Sequence, residues 1–338
     1  MGFSIGICGL TNVGKSTLFK VLTKREVEIS PRKFTTLHPN VGQISVEDER
    51  LNILSELVKP EKKTPVKIEF YDIAGLIKGA HQGVGLGNQF LAEIRQVDGI
   101  LFVLRAFEAK DVENVLGKID PKEELEVLKT EFLMKDLETV ENLILKFEKK
   151  EKKRAALLKK IKEEVAKGRL ISEIELSPSE TKEISQFQFL TQKPFFCLVN
   201  WDGKTNFSAP KENHLVANLK EEEEFLELEP KEREELGFVS QTKKIIENCF
   251  SILNLVTFFT IAGGKEVRAW EVKKGSLILE GARKVHSDFE KKFKRAEVIN
   301  FSEFVKVRDW KLAKENGKIS IVGKDYVLQD GDIVEFKI

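Results

Sequence analysis

The sequence predicts an α/β chain: a mostly parallel sheet covered by helices, interrupted by a helical coiled coil and followed by a small separate α+β domain. Three observations predict it. A short apolar run, Phe3 to Cys8, enters a glycine-rich turn and then a helical pattern from Lys15 to Thr23. Further apolar runs at Ile100 to Leu104 and Phe195 to Val199 alternate with helical patterns, and such alternation builds parallel sheets covered on both faces. Beyond about Asn254 the texture changes to short strands with frequent glycine turns. The length of 338 residues suggests two or three domains at roughly 150 residues each. An apolar fraction of 41% is enough to give each one a core.

Taken in order, the strand at Phe3 to Cys8 is followed by a strand pair around Val41 to Val46 and Val66 to Tyr71, then by the runs at 100–104 and 195–199. Between the last two, Asp120-Pro121 opens a helix, with an aspartate N-cap and proline at the first helical position. Leu133, Leu137, Val140, Ile144 and Phe147 recur at spacings of four and three, and Leu158, Ile161 and Val165 continue the register. This is a coiled-coil pattern. The charged run Glu148 to Arg154 falls on two seam positions, so the helix is either continuous and weak there or turned back as a hairpin, and no glycine or proline marks a turn. Gly168 suits a C-terminal helix cap. The last domain reads as strands at Thr257 to Ile261, Glu266 to Val272, Lys318 to Val322 and Tyr326 to Phe336, with turns at Gly263-Gly264, Gly275 and Asp330-Gly331.

Composition removes several functional classes. The 56 basic and 55 acidic residues leave a net charge of +1, which offers no uniform field for nucleic acid. Counted by segment, the net charge is +1 over 1–121, +3 over 122–169, −7 over 170–253 and +4 over 254–338. Two modestly basic segments therefore flank an acidic one and leave room for a local phosphate-facing surface. No apolar run approaches the ~20 residues of a membrane span, and the N-terminal Met-Gly-Phe-Ser-Ile-Gly shows no export or anchoring signal. Three cysteines, Cys8, Cys197 and Cys249, read as reduced thiols, and the four histidines have no ligand spacing. A cytoplasmic globular protein is expected, with no membrane and no DNA partner.

The chemistry is carried by Gly9-Leu-Thr-Asn-Val-Gly14-Lys15-Ser16, which fits G-x-x-x-x-G-K-[ST] between a predicted strand and a predicted helix. Its glycines let backbone N–H groups curl around phosphate oxygens at a helix N-terminus. Lys15 supplies a point charge to the β- and γ-phosphates, and the Ser16 hydroxyl suits Mg²⁺. Asp72, ending an apolar strand and followed by Ile-Ala-Gly75, suits an aspartate that holds the metal through water and a glycine amide that reads the γ-phosphate. The segment Gly79 to Gly87 carries four glycines within Gly79-Ala-His-Gln-Gly-Val-Gly-Leu-Gly87 and suits a nucleotide-ordered switch.

These motifs resemble those of the Obg-like ATPases, the YchF family of the translation-factor class, and the resemblance covers nearly the whole chain. It is carried by GLTNVGKSTLF (9–19), PNVG (39–42), YDIAGLIKGAHQGVGLGNQFL (71–91), Arg105-Ala-Phe107, TFFTIAGGKEVRAW (257–270) and GKDYVLQDGD (323–332). The resemblance implies a Ras-like P-loop NTPase domain over 1–120 and 186–253, a coiled-coil insertion over 121–185, and a TGS domain of the ubiquitin-like β-grasp type over 254–338. At matching positions it implies triphosphate contacts from Asn12, Val13, Gly14, Lys15, Ser16 and Thr17, and Mg²⁺ ligation by Ser16 and Thr36, with Asp72 acting through water. Lys15, Thr36 and Gly75 would carry the phosphate chemistry. A Gln that positions water in Ras-type enzymes is replaced by Leu76, and a strand histidine of some bacterial members by Phe102, so slow intrinsic turnover is expected. His81 is the remaining local candidate, although a histidine in such a loop is more often solvated. Asn12 stands where potassium-dependent relatives place an Asn ligand, which implies K⁺ as an additional cofactor.

Base selection is the more informative position. GTPases use N-K-x-D, whose carboxylate accepts two hydrogen bonds from guanine; this chain has Asn200-Trp201-Asp202-Gly203. Family members typically carry N-x-x-E and prefer ATP, so Asn200 and the backbone of Trp201 are the candidate adenine readers. Gly203 departs from that Glu as well. Asp202 would serve guanine only if the loop shifted by one residue, and Trp201 has the simpler reading of a side chain packed at the sheet edge. The expectation is an ATP-hydrolysing, Mg²⁺-dependent switch that meets the ribosome or RNA. The alternatives are a GTPase in ribosome assembly and a nucleotide-sensing RNA-binding adaptor with incidental hydrolysis.

Overall fold

The computed structural model describes residues 2–24, 40–73, 87–109 and 112–338. Among these the chain forms two compact units. One comprises residues within Phe3–Ile44 and Glu69–Ile252, the other Ser45–Ile68 and Leu253–Ile338.

The first unit is built on a six-stranded sheet of order β2-β4-β1-β5-β6-β7. Its strands are β1 (Ser4–Cys8), β2 (Asn40–Ser45), β4 (Lys67–Asp72), β5 (Gly99–Ala106), β6 (Phe195–Trp201) and β7 (His214–Ala217). From β4 to β7 every pairing is parallel, with registers Ile7↔Asp72, Cys8↔Phe102 and Arg105↔Asn200 among them. The run Gly99–Ala106 is buried at all eight positions, as expected of a parallel strand covered on both faces. Helices α1 (Lys15–Lys24) and α3 (Gly87–Gln96) lie on the connections from β1 to β2 and from β4 to β5, and α7 (Leu219–Glu227), α8 (Pro230–Leu236) and α9 (Thr242–Ile252) follow the last strand, β7. Asn218, directly after the short strand β7, starts helix α7 by accepting hydrogen bonds from Lys220 N and Glu221 N.

The inserted helices are α4 (Pro121–Phe147) and α5 (Lys152–Ala166). Asp120 caps α4 by accepting from Glu123 N at 3.1 Å, with Pro121 at the first turn. The chain turns back between them, which settles the choice left open by the charged run. The turn needs no glycine because the Phe147 carbonyl accepts from both Lys150 N (3.0 Å) and Glu151 N (2.8 Å), while the tip side chains stay in water. Val140, Ile144, Leu158, Ile161 and Val165 meet in one buried cluster, which Ile184 from α6 (Pro178–Ser185) and Phe189 also join. Gly168 follows α5 at φ +85°.

The second unit has a six-stranded sheet of order β11-β10-β12-β8-β9-β3. These strands are β3 (Lys62–Thr64), β8 (Leu255–Ala262), β9 (Glu266–Lys273), β10 (Arg295–Asn300), β11 (Ser320–Val322) and β12 (Asp332–Lys337). An antiparallel β8–β9 hairpin, β12 parallel to β8, and the antiparallel β12–β10–β11 run give the β-grasp arrangement. Helix α10 (Ile278–Val285) places Ile278 and Ala282 in the core beside Phe258, Trp270 and Val334.

Two expectations change here. The run Tyr326 to Phe336 is not one strand: only Asp332–Lys337 is. Before it the Asp332 carboxylate accepts from Tyr326 Oη and Gln329 N (both 2.9 Å), which folds the chain into a turn ahead of Gly331 at φ +87°. Residues Ser45–Ile68, read above as part of the first domain, fall with the C-terminal unit. Strand β3 adds in parallel to β9 there, and Arg50 of α2 (Glu49–Val58) pairs with both Asp48 (2.8 Å) and Asp330 (2.5 Å).

Candidate nucleotide site

The phosphate loop joins β1 to α1. Gly9 must be glycine because a Cβ there would lie 2.5 Å from the Val103 carbonyl oxygen on β5. Gly14 combines φ +104° with a Cβ position 2.5 Å from Asn200 Nδ2, so no other residue fits without moving the base loop. Asn12 is held at φ +63°, a conformation that Asn tolerates better than most residues. Helix α1 begins where Leu18 N donates to the Gly14 carbonyl at 2.9 Å.

Lys15 is buried, and its Nζ donates to the Leu10 carbonyl at 2.7 Å. Burial pulls its pKa below the usual lysine range, against the attraction of Asp72 and Glu124 among its neighbours. An ammonium held in so little water interacts strongly with any phosphate placed beside it. Ser16 Oγ is exposed and donates to Asp72 Oδ2 at 3.2 Å. Burial raises the Asp72 pKa, opposed by that bond and by Lys15. A hydroxyl and a carboxylate, both oxygen donors and both at the phosphate loop, form a set that suits Mg²⁺. Val13 points into the core while its carbonyl faces Asn200, and Thr17 lines the cleft. Thr36, Gly75, Leu76 and His81 lie outside the described residues, as does most of the glycine-rich 79–87 segment.

The base end of the cleft is organised by Asn200. Its Nδ2 donates to Val13 O (3.0 Å) and its Oδ1 accepts from Leu219 N (3.1 Å), so one amide ties the phosphate loop to the start of α7. Trp201 lines the cleft, but its indole Nε1 donates to Thr205 O at 2.7 Å and its ring lies against Phe207. Asp202 is fully engaged. Oδ1 accepts from Lys204 N (2.9 Å) and Thr205 N (2.8 Å), and Oδ2 from Thr205 Oγ1 (2.7 Å) and Glu108 N (3.2 Å). Against a burial penalty, these donors hold its carboxyl well below the usual carboxylate range. Delivering this carboxylate to guanine would break all four bonds. Gly203 completes the turn at φ +79°, a conformation that favours glycine.

Phe102 is buried between Phe132 and Phe195, with ring centroids 5.6 and 5.3 Å away. It faces α4 as packing. Cys8, Cys197 and Cys249 are free and buried, and burial pushes the first two thiols up to about 12 and the third higher still. Sequence reasoning passed over three lining groups: Asn218 and Leu219 at the α7 start, and Arg105 at the end of β5 as a builder of the wall. The signal for the first two was present as an Asn directly after the apolar run 214–217, where an N-cap belongs.

A glycine-dependent loop between the first strand and helix of a parallel sheet, a buried lysine, and a Ser–Asp pair facing it define a P-loop nucleoside-triphosphatase fold of the Ras-like kind. A family model described as a 50S ribosome-binding GTPase matches residues 4–154, and the YchF-GTPase C-terminal model, described as a protein of unknown function (DUF933), matches residues 255–338. The "Ribosome-binding ATPase YchF" of Escherichia coli O157:H7 is 40% identical over 360 aligned positions, covering 99% of each chain. The protein of that name from Bacillus subtilis (strain 168) is 40% identical over 365, covering 100% of this chain and 99% of its own. The solved "Schizosaccharomyces pombe YchF GTPase" superposes with a TM-score of 0.85 at 31% identity, over 99% of this chain and 98% of that one. The chain belongs to the YchF family.

Proposed function

We propose that this protein is an Mg²⁺-dependent ATPase whose nucleotide state governs its association with the ribosome. The observation that carries the adenine assignment is Asp202: the carboxylate one residue before the guanine-reading position is already satisfied by four donors. Asn200 and the Trp201 backbone are then the base-reading groups, and Lys15 with the 12–17 backbone holds the triphosphate. Ser16 and Asp72 would hold Mg²⁺, joined by Thr36, and the ion would supply charge neutralisation at the β- and γ-phosphates. Asn12 is the candidate for K⁺. Leu76 and Phe102 offer no group to orient water, so intrinsic turnover is slow, with His81 the remaining local candidate. The named function of the bacterial relatives agrees with this reading.

The ribosome contact draws support from the coiled-coil tip. Its acids are committed, Glu148 to Lys159 (2.7 Å) and Glu151 to Arg154. Lys149, Lys150, Lys152 and Lys153 are exposed and make no ion pair among the described residues. Exposed ammonium groups at the hairpin tip suit RNA phosphates. A ribosome partner supports a cytoplasmic location; no helix among the described residues is long and apolar enough to cross a membrane.

A second reading, GTP as substrate, is favoured by the name or description of both matching family models and of the fission-yeast relative, each of which says GTPase. Titration of ATP and GTP in Mg²⁺ and K⁺ decides between them: a tenfold preference for GTP, ~1.4 kcal/mol, overturns the adenine assignment. Lys15→Ala should abolish triphosphate binding in the same titration; full affinity in that variant would remove the phosphate-site assignment. Equal ribosome co-sedimentation in apo, ADP and non-hydrolysable ATP states would leave an RNA-binding adaptor in place of a switch.

A further inference from the structure

We propose that Glu124, on the first turn of the coiled coil, is a positioning residue for the nucleotide site, holding the strand end and loop that wall the cleft beside the phosphate loop. The inference rests on the reading of that cleft as the ATP site. Strand β1 pairs with β5 only as far as Cys8↔Phe102, because the chain then leaves the sheet as the phosphate loop. Beyond that point the β1-facing edge of β5 has no strand beside it. The Val103 carbonyl faces Gly9 on this edge, and residues two apart on a strand present their backbone groups to the same side, so the Arg105 N–H points into the gap. Glu124 Oε2 fills it, accepting from Arg105 N at 2.7 Å, with Glu124 almost fully buried. A carboxylate from the coiled coil thus stands in for the missing strand.

What Arg105 does next reaches the nucleotide. Its guanidinium donates to three carbonyls of the following loop: Nε to Phe107 (3.1 Å), Nη1 to Glu113 (3.1 Å) and Nη2 to Val112 (3.2 Å), and it lies 4.5 Å over the Phe107 ring. The same Glu113 carbonyl accepts from Asn12 Nδ2 in the phosphate loop (3.4 Å), and Glu108 N donates to Asp202 in the base loop. Arg105, Phe107, Glu108 and Val112 all line the cleft. One continuous set of hydrogen bonds therefore runs from the root of α4 through Arg105 to both the phosphate loop and the base loop. Displacement of either end changes the shape of the other. This gives the coiled coil a direct mechanical line to the nucleotide without passing through the 74–86 segment. Burial pushes the Glu124 carboxyl up to about 7, with Arg105 and Lys15 opposing and Asp120 reinforcing.

The test uses the full-length protein and Mg²⁺-ATP titration, with thermal unfolding in parallel. Glu124→Ala should weaken ATP binding at least tenfold, and Glu124→Gln, which keeps an acceptor for Arg105 N, should restore it to within threefold of wild type. Asp136→Asn is the control for a merely structural carboxylate: Asp136 is on the same helix, is buried, and accepts from Leu190 N (2.9 Å) and Thr191 N (2.7 Å), away from the cleft. It should lower the melting temperature and leave ATP affinity unchanged. Should Glu124→Ala not fold, Arg105→Lys answers the same question, since one ammonium cannot serve three carbonyls, and it too should lose at least tenfold. Wild-type affinity in Glu124→Ala or Arg105→Lys, or an equal loss in Asp136→Asn, overturns the proposal. Absence of ATP binding by the wild type would instead overturn the ATPase reading beneath it.

Discussion

Substitution of Asn200 by Ala tests whether one amide holds the nucleotide site together. Asn200 is 7% exposed, and its two bonds, to Val13 O and from Leu219 N, are both buried. Truncation removes them and leaves a buried carbonyl and a buried N–H without partners. Each orphaned group costs about 1–3 kcal/mol, and allowing for partial relaxation the pair should cost about 2–4 kcal/mol. For a unit of this size that lowers the melting temperature by roughly 4–16 °C. Asn200→Asp separates the two halves: it keeps the acceptor for Leu219 N and replaces the donor to Val13 with a repelling oxygen. The assay pairs calorimetric unfolding with hydrogen exchange at the Leu219 amide. In the Ala variant that amide should exchange faster by the factor the reduced stability implies; in the Asp variant it should stay protected while ATP affinity falls. A Leu219 amide as protected in Asn200→Ala as in wild type, with a destabilisation under about 0.5 kcal/mol, would refute the clamp.

Three further outcomes follow from the same geometry. Glu124 has a carboxyl pushed up to about 7 against ~4.3 when unfolded; the folded state then binds the extra proton between those values, so stability falls as pH rises from about 4.5 to 7 and levels off above. Thermal unfolding across pH 4.5 to 8 should show this slope, worth at most about 4 kcal/mol, and Glu124→Gln should flatten it. Ile161→Ala, at a fully buried seam position, should cost about 2–5 kcal/mol, read by circular dichroism melting, with ATP affinity unchanged. Replacing Lys149, Lys150, Lys152 and Lys153 by Gln should weaken ribosome co-sedimentation and flatten its salt dependence by up to about 0.7–0.9 log units per log unit of salt for each RNA phosphate no longer neutralised; an unaltered salt slope would place the ribosome-facing surface elsewhere.

Much of the site was legible because its constraints are local. Gly9, Gly14, Lys15 and Ser16 stand at a spacing that only a strand–loop–helix turn around phosphate requires, and Asp72 announces itself by ending a strand. The missing guanine carboxylate could also be read from Asn200 to Gly203. What could not be read were partners distant in sequence. Asn200 bonds to Val13 across 187 positions and Asp202 to Glu108 across 94; no periodicity links such pairs. The hairpin turn at 148–151 escaped because its cause is a doubly accepting carbonyl on Phe147, where sequence patterns look for glycine or proline. The strand expected over 326–336 was shortened because the Asp332 carboxylate, accepting from Tyr326 Oη and Gln329 N, bends the chain.

Short-range physics was thus written in the residue order: the phosphate loop, the alternation that makes a parallel sheet, the coiled-coil seam and the change of texture near residue 254. These depend on φ preferences, caps and side-chain periods, which act over a few residues. The assignment of 45–68 to the C-terminal unit, the satisfaction of Asp202, and the use of Glu124 as a substitute strand edge depend on which backbone groups are left without partners once the sheet has closed. That accounting exists only in the folded chain, because an N–H such as that of Arg105 becomes an orphan only when β1 turns away from β5.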